Sequence, residues 1–167
     1  VEEDAEELLG RLAPYVGEGH HSTIGVLVWV LRTGRQIEAW LSTTLAADGF
    51  DSSEFTAIIA LFLAGEPHRL SAGEIATSLV QTTGGTTKTI RRMEERGLVR
   101  RIADPGDGRR ALIELTATGL TSARSTLSLV LDSFDLDIGD LDEAERTELG
   151  ARVARLSLQL DERLRLR

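Results

Sequence analysis

The chain has 167 residues, a length for one domain, and 41% of them are apolar, enough to build a core. Aromatic residues are only 4% while Leu, Ala, Glu and Arg are abundant, so a mainly helical protein is expected. The absence of cysteine excludes disulfides, thiolate metal sites and cysteine redox switching, and a net charge of −8 excludes a uniformly basic surface. Nothing resembles a signal peptide, and the longest apolar run, Ile24 to Leu31, falls far short of a bilayer span. A cytoplasmic location with no membrane partner is therefore expected. The chain starts at Val1 rather than Met, as expected of a processed chain or of one that continues upstream.

Val1 to Tyr15 carries Leu8, Leu9 and Leu12 on one face and predicts an N-terminal helix. Ser22 to Ala47 reads as a long helical stretch. Its apolar residues (Ile24, Leu27, Val28, Leu31, Ile37, Leu41, Leu45) exceed what one small lobe would cover. Asp51-Ser52-Ser53-Glu54 has capping-box spacing, and Phe55, Ile58, Ile59 and Phe62 repeat at helical spacing as far as Gly65-Glu66-Pro67. Ser71-Ala72-Gly73-Glu74 is a second box, followed by Ile75, Ala76 and Leu79, so a short helix starts at Ser71. After the polar break Gln81-Thr82-Thr83-Gly84-Gly85, another helix runs through Ile90 and Met93 to Gly97, which is placed for a left-handed C-terminal conformation. Leu98 to Ala103 reads as a strand, Asp104-Pro105-Gly106-Asp107-Gly108 as a turn and Ala111 to Leu115 as a returning strand. Ala117 to Phe134 is helical again. After an Asp-rich linker, Asp142 and Glu145 open a last helix, Glu143 to Leu166, whose Leu149, Val153, Leu156, Leu160 and Leu164 form a seam that wants a partner helix.

A short capped helix, a basic second helix and a hairpin tipped by Arg109 and Arg110 make a winged helix-turn-helix, a device for reading DNA. At about 100° per residue, Thr86, Ile90 and Met93 share one stripe of the second helix, with Gly84, Lys88, Arg91 and Arg92 opposite. Gly84 and Gly85 let the helix start approach base edges, and Ser71, Thr82, Thr83 and Thr87 offer hydroxyls. Lys88, Arg91 and Arg92 reach phosphates or guanine, with Glu95 restraining Arg91. Asp107 orients Arg109 for a narrow minor groove, and Arg110 touches phosphate. A solvated charged face and a polar surface turn are the alternatives for the helix and the hairpin. Thr82 to Leu112 nevertheless carries a local charge of +4, leaving −12 for the remainder, and a basic face on an acidic body is compatible with directed DNA binding.

Thr86-Thr87-Lys88 through Met93 to Arg101, then Asp104 through Arg110 and Leu115-Thr116-Ala117-Thr118-Gly119, resemble the MarR family of bacterial transcription regulators, most densely over residues 71 to 119. The resemblance implies a mainly α fold with a small β-hairpin wing, residues 1–167 forming a single domain. Within it, 51–116 would be the winged helix-turn-helix DNA-binding lobe, and 1–48 and 117–167 the helical dimerisation region. It implies a homodimer, commonly a repressor, that sets two recognition helices about one turn, ~34 Å, apart on pseudo-palindromic double-stranded DNA. It further implies a small aromatic or phenolic effector, for which Trp29 and Trp40 are candidate contacts; as single residues they also suit a plain core. Some family subgroups carry an extra N-terminal helix, including regulators that respond to urate.

Other classes find less support. Gly84-Gly85-Thr86-Thr87-Lys88-Thr89 is superficially similar to a phosphate loop but lacks the glycine before lysine and follows a helix. No nucleophile with its base and no acid pair can be named, so neither catalysis nor a cofactor is expected. His20, His21 and His68 do not supply the number and spacing of histidine and carboxylate ligands on which a metal-responsive branch of the family relies, and read as structural or surface residues. The remaining competitors are an intramolecular helical bundle in place of a dimer, and a winged helix that docks an acidic protein partner instead of DNA.

Overall fold

A computed structural model describes residues 5–79, 83–104, 106 and 111–165. They fall into two compact units, residues 1–130 and 131–167. In the first unit α1 (Ala5–Leu12) is followed by 3-10 turns at Ala13–Tyr15 and Glu18–His20 and by α2 (His21–Ala46). Leu8, Leu9 and Leu12, the expected inner face of α1, are half-buried, and α1 packs on α2. α2 ends where Gly49 takes a φ of +67°, a conformation that favours glycine. There the Phe50 N–H reaches Leu45 O and the Gly49 N–H reaches Ala46 O, both at 3.1 Å, and buried Leu45 and Phe50 complete the cap.

α3 (Ser52–Leu63) starts on the expected box, with Asp51 Oδ1 accepting the Glu54 N–H at 2.8 Å and Glu54 Oε2 accepting the Asp51 N–H at 3.2 Å. Its Ala57, Ile58 and Leu61 are buried against Ile75 of α4 (Ala72–Leu79), Ile90 and Met93 of α5 (Thr83–Glu95), and Leu98, Val99, Ile113 and Leu115. This is the core that carries the lobe.

Ser71 both ends a strand and caps α4 through Glu74, as its box predicts, whereas α5 begins at Thr83, so it contains Gly84 and Gly85, which were expected in the break. The hairpin forms where expected, with β2 (Val99–Ala103) antiparallel to β3 (Ala111–Leu115) and Ala103 opposite Ala111. An additional strand, β1 (Arg69–Ser71), pairs with the other edge of β3, so the sheet has the order β1-β3-β2. β1 satisfies backbone groups that an isolated hairpin would leave open along that edge. His68 prepares this pairing from a φ of 55°. Its ring stacks on Phe62 at 5.8 Å, its Nδ1–H donates to Phe62 O at 3.0 Å, and its carbonyl accepts the Leu115 N–H at 3.2 Å.

The Leu-Thr-x-x-Gly segment starts α6 (Ala117–Asp137). Thr116 Oγ1 accepts the Gly119 N–H at 3.0 Å and donates to Gly97 O at 2.7 Å, tying the helix start to the end of α5. Gly119 permits this approach, because a Cβ there would lie 1.9 Å from Leu98 O. The second unit holds the end of α6 and α7 (Glu143–Arg165). Asp142 and Glu145 cap α7 reciprocally at 2.9 and 2.8 Å, and Arg146 reaches Asp135 Oδ1 and Leu141 O, both at 2.9 Å. Leu149, Val153, Leu160 and Leu164 along α7 are each more than half exposed. Among the described residues no helix is long and apolar enough to cross a membrane.

Candidate nucleic-acid interface

The inner stripe of α5 is the one read from its periodicity: Thr86, Ile90 and Met93 are each 1% exposed. Gly97, at a φ of +68°, ends the helix, with the Leu98 N–H on Met93 O and the Gly97 N–H on Glu94 O, both at 2.9 Å. Thus anchored, α5 turns Thr87, Lys88 and Arg91 outward, all exposed, while Gly85 is half-buried. Arg91 Nε lies 3.3 Å from Glu95 Oε1, the expected restraint one turn along. Lys88 makes no ion pair with another described residue.

Arg92 behaves differently from its expected neighbours on the outer face. Its guanidinium turns toward the start of α3, where Nη2 pairs with Asp51 Oδ2 and Nε sits 3.6 Å from Glu54 Oε1. Arg96, one turn later, donates from Nη1 to Glu54 Oε2 at 3.1 Å and to Gly49 O at 2.9 Å, and stacks 4.3 Å above the Phe50 ring. These groups line an open cleft of about 490 Å³ formed by Gly49, Phe50, Asp51, Glu54, Arg92, Glu95 and Arg96. Counting charges along the chain could not reveal this, because Asp51 and Glu54 lie some forty residues away and read only as a helix cap.

A second cluster spans the sheet. Glu114, 4% exposed, stands opposite Arg69 on β1 and Arg100 on β2 and pairs with both; Arg100 Nε donates to its Oε1 at 2.7 Å. The hydrogen bond from Arg69, then that from Arg100, holds the carboxyl below the usual glutamate range. Arg101 pairs with Glu94 at 3.1 Å. The basic surplus of residues 82–112 is thus largely matched by carboxylates, several from outside that segment.

Ser71 is engaged in a cap. Its hydroxyl accepts the Glu74 N–H at 3.2 Å and donates to Glu74 Oε2 at 2.7 Å, and the Ser71 N–H donates to the same oxygen at 2.7 Å. The hydroxyl and then the amide lower the pKa of Glu74. Thr82, Asp107, Arg109 and Arg110 lie outside the described residues, as does the side chain of Thr83; of Gly84 only the backbone is described, in the first turn of α5. At the near side of the turn Asp104 Oδ1 accepts the Gly106 N–H at 2.8 Å. Trp29 is 43% exposed on α2 and Trp40 half-buried, and neither lines the cleft beside Arg92. His21 Nε2–H donates to Ala13 O at 3.4 Å. Among the described residues no group of three or more His, Asp or Glu is placed to hold a metal ion.

Residues 53–110 match the model of the MarR family. A probable transcriptional regulator from Pseudomonas aeruginosa is similar in structure, at a TM-score of 0.66 and 24% identity, covering 78% of this chain and 96% of that one. A mutant MarR from E. coli complexed with operator DNA has a TM-score of 0.69 and 18% identity, over 84% of this chain and 99% of that one. BpsR of Bordetella bronchiseptica, whose DNA binding is regulated by 6-hydroxynicotinic acid, has a TM-score of 0.65 and 22% identity, over 77% and 90%. At these identities the likeness is one of fold. No curated protein matches the chain.

Proposed function

We propose that this chain, whose residues 53–110 match the MarR family model, is a MarR-type sequence-specific DNA-binding transcriptional regulator, acting in the cytoplasm as a homodimer on a pseudo-palindromic operator. The observation that carries the reading is α5. It is fixed to the lobe by the buried Thr86, Ile90 and Met93, packs against β2 and presents Thr87, Lys88 and Arg91 outward. Gly84 and Gly85 at its start bring backbone within reach of base edges, and Thr82 and Thr83 add hydroxyls. Lys88 and Arg91 meet phosphate or guanine, while Asp107, Arg109 and Arg110 serve the minor groove and its rim. Two such helices are read together on a dimer. Exposed apolar residues support one: Leu27, Leu31 and Ile37 on α2, and Leu149, Val153 and Leu160 on α7.

The regulator is a repressor relieved by a small aromatic or phenolic effector, with Trp29 and Trp40 as candidate contacts; the regulated DNA binding of BpsR supports this half of the reading. Ligand binding would then shift the population between two spacings of the reading lobes. Selection from a random DNA pool tests the proposal. An enriched inverted repeat is expected, and Arg109→Ala should bind it about 1 to 3 kcal/mol more weakly with relaxed sequence preference. Failure to enrich any sequence would contradict it. One observation favours a second reading, a protein-docking winged helix: the pairing of Arg91, Arg92, Arg96, Arg100 and Arg101 with carboxylates leaves few uncompensated cations for a polyanion. Binding that saturates with an acidic protein and not with DNA would establish that alternative.

A further inference from the structure

The carboxylates that cap α3 also grip the last turn of α5, and we propose that Arg92 and Arg96 are positioning residues. They set the angle of the recognition helix on α3, and with it the sequence selectivity, without touching DNA. The inference rests on the operator-binding reading.

Three chain segments converge here: the left-handed end of α2 at Gly49 and Phe50, the first turn of α3, and the final turn of α5. Glu54, whose side chain is 6% exposed, accepts from Arg96 on Oε2 and faces Arg92 Nε across Oε1, while Asp51 takes the other end of Arg92. Arg92 Nε is buried without a hydrogen-bond acceptor, so the guanidinium is held there by charge and by its bond to Asp51. Arg96 is fixed from a third side by Gly49 O and from below by the Phe50 ring. A planar guanidinium held at several points transmits orientation as well as attraction.

Leverage converts that grip into specificity. α5 has 13 residues and is clamped at its C-terminal end, while the residues proposed to meet base edges lie at its N-terminal end. A tilt of roughly 10° about the clamp moves the far end of such a helix by roughly 3 Å, more than a hydrogen bond to a base tolerates. The cluster itself adds no attraction for DNA, since two arginines meet two carboxylates.

The test exploits the fact that the carboxylates can lose their charge and keep their caps, because Asn and Gln serve at the same cap positions. The double variant Asp51→Asn with Glu54→Gln removes two negative charges, so electrostatics alone would strengthen DNA binding. The proposal expects the ratio of operator to scrambled affinity to fall about tenfold, the scale of one mismatched base pair, with scrambled-duplex affinity unchanged or raised. Arg92→Gln should lower the same ratio and leave the salt dependence of binding as in wild type, whereas loss of a phosphate contact reduces its slope by about 1. Thermal melting of each variant confirms that the fold persists, and either variant alone decides the question. A double variant as selective as wild type, or a reduced slope for Arg92→Gln, overturns the inference while operator binding stands. Wild-type protein that selects no sequence overturns both.

Discussion

Glu114 shows how much one residue can organise in this sheet. It is nearly enclosed, yet it remains ionised because register places Arg69 and Arg100 on either side of it, one from each neighbouring strand. A carboxyl whose folded pKa is lowered adds stability above its unfolded value of about 4.3, and that contribution is lost as pH falls through the lower folded value. Glu114→Gln should therefore cost about 1 to 2 kcal/mol at neutral pH, discounted because Arg100 stays largely exposed and rehydrates, and should flatten the acid limb of stability against pH. Denaturant unfolding across the range from neutral to pH 3 reads both effects; an acid limb as steep as wild type would remove Glu114 from the account. Ser71 makes a similar point at the start of α4. Its hydroxyl is committed to Glu74, so Ser71→Ala should lower stability by about 1 kcal/mol in a thermal melt and leave the salt slope of DNA binding unchanged. A reduced slope with unchanged stability would instead return Ser71 to the DNA face.

At the scale of elements, what could be read beforehand was whatever has a local cause. The boxes at Asp51, Ser71 and Asp142, the left-handed Gly97, the hairpin strands and the buried stripe of α5 each follow from neighbours within a few residues, and each is present. β1 escaped because three residues carry no period-two pattern, and it exists only because β3 offers an open edge more than forty residues later. The start of α5 departs from expectation for a related reason. Gly84 and Gly85 are poor helix formers in isolation, but they lie in the first turn of a helix stabilised by the burial of Thr86, Ile90 and Met93. Arg92 fits its helical position as expected and differs only in its partner, which is remote in sequence. Its removal from the outer face leaves Lys88 and Arg91 as the described cations on that side of α5.

For the whole molecule, the distribution of apolar surface matters most. α2 has 26 residues and buries only Leu45, while Leu27, Leu31 and Ile37 stand largely exposed, as do Leu149, Val153 and Leu160 on α7. Helices of that composition are stable when another chain covers them. Val153→Glu combined with Leu160→Glu should therefore shift the protein to monomer in sedimentation equilibrium and lower its melting temperature; an unchanged mass would confine dimer contacts to other helices or remove the dimer from the account. The net charge of −8 also has a consequence at this scale. An acidic body with a locally neutralised reading lobe should bind unselected DNA weakly, so affinity must come from contacts made on the right sequence.

The most direct measurement is the affinity of the purified protein for its selected duplex and for a scrambled duplex of equal length, titrated at several salt concentrations with the stoichiometry determined. Two protomers are expected on one inverted repeat, with a large preference for it that persists at moderate salt and weak scrambled binding that disappears there. Equal affinity for both duplexes, falling together as salt rises, would contradict it.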